Sequence, residues 1–145
     1  MPQEGSKAPE FEALKAVKGK HVVLYFYPKD DTPGCTVEAC AFRDNVKKIE
    51  KLNAVVLGVS PDDVKSHDKF IQKFKLPFSL VPDTDHKISE AYGVWGEKSF
   101  MGRKYMGVSR STFLIAPDGK IEKVYEKVKP EGHAEEVLGF LSSVK

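Results

Sequence analysis

HVVLYFYPKDDTPGCTVEAC, residues 21–40, passes from a continuous apolar run through a polar turn into a helix-forming stretch. The run at 22–27 is rich in β-branched and aromatic residues. It is bounded by Gly19-Lys20-His21 and by Pro28-Lys29-Asp30-Asp31, which predicts a buried strand that feeds a loop. Beyond Thr32-Pro33-Gly34, the residues Cys35, Ala39, Phe42, Val46 and Ile49 recur at spacings of four, three, four and three, which marks one face of a helix. The unit that organises the chain is therefore strand, loop and helix, with a cysteine opening the helix's buried stripe.

Working outward, residues 54–59 form a second valine-rich run, and Ser60-Pro61-Asp62-Asp63 supply cap and first-turn residues for a helix whose stripe is Val64, His67, Ile71 and Phe74. Residues 78–81 are a short strand, 88–92 a short helix ending at Gly93, and 96–107 a glycine-rich basic loop on the surface. Residues 112–116 and 121–125 flank Pro117-Asp118-Gly119-Lys120, an antiparallel hairpin in which the Asp-Gly pair is expected to take positive φ. A last helix at 131–144 carries Val137, Leu138 and Leu141 on one face. Strands and helices alternate and then give way to a hairpin and a helix. That order implies an α/β protein with a mixed central sheet and helices on both faces, resembling a thioredoxin fold.

The 145 residues suit one domain, 1–145, and bury enough surface to need no disulfide staple. Hydrophobic residues at 41% and charged residues at 30% exclude disordered and fibrous classes. The net charge of +2 comes from interspersed signs, which argues against a nucleic-acid partner. No apolar run approaches the ~18 residues of a membrane span, and residues 1–20 carry no signal-peptide apolar region. A cytoplasmic location without membrane association is expected, where two cysteines are kept reduced and their chemistry matters more than stapling.

Cys35 and Cys40 stand five positions apart, which in a helix turns the chain by roughly 500°, leaving the side chains about 140° and the α-carbons about 8.7 Å apart. A disulfide needs less than about 7 Å. Either the pair is never oxidised, or oxidation unwinds a turn. Cys35 is the better nucleophile because free amides and the helix dipole at a helix start favour an anion, and Pro33 suits a helix entrance. An ordinary cysteine is only about 3% thiolate at pH 7, so a cation beside it is required. Arg43 lies two turns further on and is expected to face solvent, and Arg103 lies in the basic loop. Arg110 directly precedes the strand at 112–116 and is the candidate a rigid element delivers to the strand ends, where α/β sites gather.

Pro28-Lys-Asp-Asp-Thr32-Pro-Gly-Cys35 resembles the peroxiredoxin signature. With Cys40, Arg110-Ser111-Thr112-Phe113-Leu114-Ile115 and the amino-terminal Gly5-Ser6-Lys7-Ala8-Pro9-Glu10-Phe11, essentially the whole chain is similar to the bacterioferritin comigratory protein, or peroxiredoxin Q, branch. The resemblance implies a thiol-dependent peroxidase acting on hydrogen peroxide and organic hydroperoxides. Cys35 would be the peroxidatic cysteine, Arg110 the arginine that stabilises its thiolate and aligns peroxide, Thr32 a hydroxyl partner of the peroxide and Pro28 a shield against water. Cys40 would resolve the Cys35 sulfenic acid to an intramolecular disulfide, reduced by thioredoxin or a similar dithiol. Glu38 matches a residue common in that branch and takes a loose supporting role. A monomer without cofactor or metal is implied.

Blander readings stand beside this one. Cys35 alone suits a core position, His67 a packed structural role, and Trp95, Tyr92 and Phe100 packing or loop anchoring. Glycines 93, 96, 102 and 107 match no nucleotide-binding fingerprint, and His21, His67, His86 and His133 are too scattered to predict a zinc site. The alternative from another class is a copper-binding or redox-sensing module on the same fold, though copper favours a closer cysteine pair with a distant histidine. A general dithiol oxidoreductase expects Cys-x-x-Cys.

Overall fold

The computed structural model describes residues 1–144. Its elements in chain order are α1 (Glu12–Lys15), β1 (His21–Phe26), α2 (Pro33–Lys51), β2 (Ala54–Ser60), α3 (Val64–Phe74), β3 (Ser79–Pro82), α4 (Lys87–Ala91), β4 (Trp95–Phe100), β5 (Arg103–Val108), β6 (Ser111–Ile115), β7 (Ile121–Tyr125) and α5 (His133–Ser143). The main sheet runs β3-β2-β1-β6-β7. β1 pairs in parallel with β2, and β2 with β3, whereas β6 is antiparallel to both β1 and β7. The order is that of a thioredoxin-fold α/β protein with a mixed sheet.

β1 is central, which explains its unbroken apolar run: both faces are covered. Val23, Tyr25 and Tyr27 join Cys35, Ala39, Phe42, Phe70, Val137 and Leu141 on one side, where α2, α3 and α5 pack. Val22, Leu24 and Phe26 join Leu14, Tyr92, Val94 and Phe113 on the other, beneath α1, α4 and the base of β4 and β5. Gly58 in β2 is required by close approach, since a Cβ there would stand 2.7 Å from Leu80 Cδ2 and 2.9 Å from Tyr25 Cζ. The β1-to-β2 and β2-to-β3 crossovers step outward in the same direction, so the carboxyl ends of β1 and β2 deliver loops 27–32 and 60–63 side by side.

Three expectations are corrected. Residues 96–107 are a hairpin rather than a loop, β4 pairing with β5 from Trp95↔Val108 to Phe100↔Arg103 around Met101 and Gly102, at φ 51° and 79°. Two successive positive φ angles suit a two-residue hairpin turn. The hairpin stands away from the main sheet, so most of it lacks the apolar alternation by which a strand is recognised. In α3, Val64 is 58% exposed and Phe70 takes its place in the stripe at 2%, because Val64 begins the helix and its side chain leans back past the packed turns. At the β6–β7 turn only Gly119 takes positive φ, at 90°, not the Asp118-Gly119 pair.

Candidate active site

The site lies where loop 27–32 enters α2. Thr32 is extended (φ −97°) at the helix N-cap, and its carbonyl accepts from the Thr36 amide at 2.8 Å. Its side chain does not cap the helix. The hydroxyl donates instead to the Lys29 carbonyl at 2.9 Å, tightening the loop. Asp31 turns the chain at φ 56°, a left-handed conformation that aspartate tolerates better than most residues. Pro28 is exposed. Cys35 follows within the first helical turn, its side chain 1% exposed and its thiol free.

Arg110 reaches this point from the start of β6. Its Nη2 donates to Cys35 Sγ at 3.2 Å and its Nη1 to Glu38 Oε1 at 2.6 Å. Burial alone would lower its affinity for the proton, but Glu38 and Cys35 outweigh that and hold the guanidinium charged. Gly34 makes room for it, since a Cβ there would lie 3.2 Å from Arg110 Nη2 and 3.5 Å from Pro130 Cγ. Thr112 follows in the same strand and is hydrogen-bonded at 2.8 Å to His133, whose Nδ1 pairs with Glu136 at 2.9 Å. Burial pushes the His133 proton affinity down, so the neutral ring accepts from Thr112 and donates to Glu136. The strand bearing Arg110 is thus tied to α5.

Glu38 is buried on the same helix face as Cys35. Burial pushes its carboxyl up to about 7, although Arg110 pulls the other way. Its second oxygen has no partner among the described residues, as has the Tyr25 hydroxyl. An acid three residues after Cys35 and next to Ala39 sits on the apolar stripe, and that misplaced charge was the available signal of a closer role than the loose one assigned. Pro130 and Gly34 as packing partners of Arg110 had no such signal.

Cys35 and Cys40 belong to one continuous helix, and Cys40 is half-buried with a free thiol. Arg43 departs from the solvent-facing expectation: its Nη1 donates to the Phe74 carbonyl at 2.7 Å, tying α2 to the end of α3. Each histidine is engaged away from the two thiols: His21 with Glu122, His67 with Asp30, His86 with Glu90 and His133 with Thr112. Among the described residues, no histidine and cysteine set supports the copper-binding alternative.

A buried thiol under a guanidinium at a helix start, with a second thiol on the same helix, makes this a thioredoxin-fold thiol oxidoreductase in which a cation, not a Cys-x-x-Cys partner, faces the sulfur. The sequence matches the AhpC/TSA family over residues 5–124. It is 51% identical to a Coxiella burnetii peroxiredoxin Bcp, covering 94% of this chain and 97% of that one, and 48% identical to peroxiredoxin Bcp of Bacillus subtilis, covering 97% and 95%. The fold superimposes on a cysteine-to-serine mutant of Xylella fastidiosa PrxQ with a TM-score of 0.93 at 38% identity, over 99% and 98% of the two chains. It also superimposes on a Xanthomonas campestris bacterioferritin comigratory protein described for alkyl peroxide reduction, with a TM-score of 0.86 at 44% identity, over 90% and 83%. The chain belongs to the AhpC/TSA family and is a peroxiredoxin, a thiol-dependent peroxidase.

Proposed function

We propose that Cys35 is the peroxide-attacking thiolate and Cys40 its resolving partner, in a single-domain, monomeric enzyme that reduces hydrogen peroxide and organic hydroperoxides in the cytoplasm at the expense of thioredoxin or a similar dithiol. The observation that carries this reading is Arg110, placed 3.2 Å from Cys35 Sγ while held by Glu38. The guanidinium stabilises negative charge as it develops on the departing oxygen. Thr32 keeps its own proton on the Lys29 carbonyl, which leaves its oxygen free to accept from the peroxide hydroxyl. Pro28 screens the rim of the site.

Cys35 Sγ attacks one peroxide oxygen, a sulfur–oxygen bond forms as the oxygen–oxygen bond breaks, and the second oxygen leaves as water or an alcohol after taking a proton. The sulfenic acid condenses with the Cys40 thiol, releasing water and forming a disulfide, and two electrons and two protons from the dithiol restore both thiols. The thiols share an intact helix, so condensation requires its first turns to unwind. Alkyl hydroperoxides are included because the Xanthomonas campestris relative is described for alkyl peroxide reduction. NADPH oxidation coupled through thioredoxin reductase and thioredoxin, with hydrogen peroxide, cumene hydroperoxide and tert-butyl hydroperoxide as substrates, tests the whole reading. Steady turnover is expected with wild type, and turnover retained in Cys35→Ser would overturn it.

A further inference from the structure

Behind loop 27–32, on the side away from Arg110, a charged cluster is buried that the peroxidase chemistry does not use. Asp30 is 7% exposed. Its Oδ1 accepts from the Tyr27 hydroxyl at 2.5 Å, and its Oδ2 accepts from Ser66 Oγ at 2.8 Å and from His67 Nδ1 at 2.7 Å. Its own amide donates to Asp62 Oδ2 at 2.8 Å, which also accepts from Ser60 Oγ at 2.6 Å. The other His67 nitrogen, Nε2, lies 3.2 Å from the Val81 carbonyl, an acceptor only. Both ring nitrogens therefore donate, and His67 is an imidazolium facing a carboxylate. The ligand atoms of Asp30, Asp62 and His67 lie within 4.8 Å of one another, but every one already has a hydrogen-bond partner, so the cluster is a clamp and not a metal site. It gathers the ends of β1, β2 and β3 and the first turn of α3 onto one residue of the loop.

A buried ion pair is a costly way to gain stability, and its best-attested use is to select one arrangement. Here the arrangement concerns Thr32, two residues beyond Asp30, which is the N-cap of α2 and stands three residues before Cys35. We propose that Asp30, held by His67, is a positioning residue for the peroxidase reaction: it sets loop 27–32 so that the Thr32 hydroxyl and the start of α2 align peroxide on Cys35. This rests on the peroxidase reading above. Neither Asp30 nor His67 touches Cys35 or peroxide. Their effect falls on the alignment of the oxygen–oxygen bond, not on the Cys35 sulfur itself, which Arg110 contacts at 3.2 Å.

The test compares two second-order rates at Cys35 in folded protein at pH 7, with hydrogen peroxide and with iodoacetamide. The first needs an aligned oxygen–oxygen bond. The second needs only an accessible thiolate. Asp30→Ala and His67→Ala are expected to lose tenfold or more in the peroxide rate while alkylation stays within about threefold, and His67→Asn, which keeps a donor near the Nδ1 position, is expected to recover most of the loss. Asp30→Asn preserves shape and serves if the alanine variant does not fold. Its expected loss is several-fold in the peroxide rate alone. Both rates falling together, or neither falling, would overturn the positioning role while wild type still prefers peroxide. A wild-type Cys35 that shows no preference for peroxide over iodoacetamide would instead overturn the peroxidase reading itself.

Discussion

At the scale of single residues, the site divides the work between sulfur, cation and acid. Cys35→Ser is expected to abolish peroxide consumption. Cys40→Ser should consume one equivalent and stall at sulfenic acid, which mass spectrometry of the peroxide-treated variant reads directly. Arg110→Ala removes a charge-assisted hydrogen bond that contributes about 1.5–3 kcal/mol, so the peroxide rate should fall by roughly ten- to a hundredfold or more. Arg43→Ala, whose guanidinium is committed to Asp44 and the Phe74 carbonyl, should leave that rate near wild type. Glu38 gives the pH signature. Its carboxyl stands at about 7 when folded against an ordinary value of 4.5, so the native state holds a proton that the unfolded state has released. The stability this contributes is complete below 4.5 and is lost as pH rises through 7. Melting temperatures of wild type should therefore fall relative to Glu38→Gln between pH 4.5 and 7.5, and parallel curves would remove the effect.

The element that must change during the cycle is α2. Its first turns hold Cys35 and Cys40 on different faces of one helix, and a disulfide cannot span them there. Hydrogen exchange in the oxidised protein is expected to quicken mainly over residues 33–44, whose amide hydrogen bonds are lost with the unwound turns. The contact of Arg43 with the Phe74 carbonyl should mark where protection returns. Unchanged protection with a confirmed Cys35 to Cys40 disulfide would refute this. Opening of this face is expected to carry Ala39 and Phe42 away from Tyr25 and to uncover the disulfide.

For the molecule as a whole, α2 is fixed by its packing against the sheet and α5. Phe42 is fully buried, 4.9 Å from the Tyr25 ring and 5.9 Å from His133 between ring centres. Phe42→Ala should cost about 3–5 kcal/mol, a large share of the roughly 5–15 kcal/mol by which domains are stable. Denaturant unfolding of the reduced protein measures it.

The local grammar of residues 21–40 was sufficient for strand, loop and helix, because burial on two faces forces an apolar run and burial on one forces helical spacing. The same run, with Thr32, Pro28 and both cysteines in a recognisable pattern, carried the resemblance to peroxiredoxins, and the position of Arg110 before a strand pointed to the contact it makes with Cys35. The strand pair at 96–107 escaped, since an outlying hairpin leaves little periodic trace in composition. What tertiary structure alone decided is which distant side chains meet. Glu38 accepts from a residue 72 positions away, and Asp30 accepts from one 37 positions away. No local spacing encodes such pairings, because they are set by the order β3-β2-β1-β6-β7, which brings the loop after β1, the start of β6 and the first turn of α3 to the same end of the sheet.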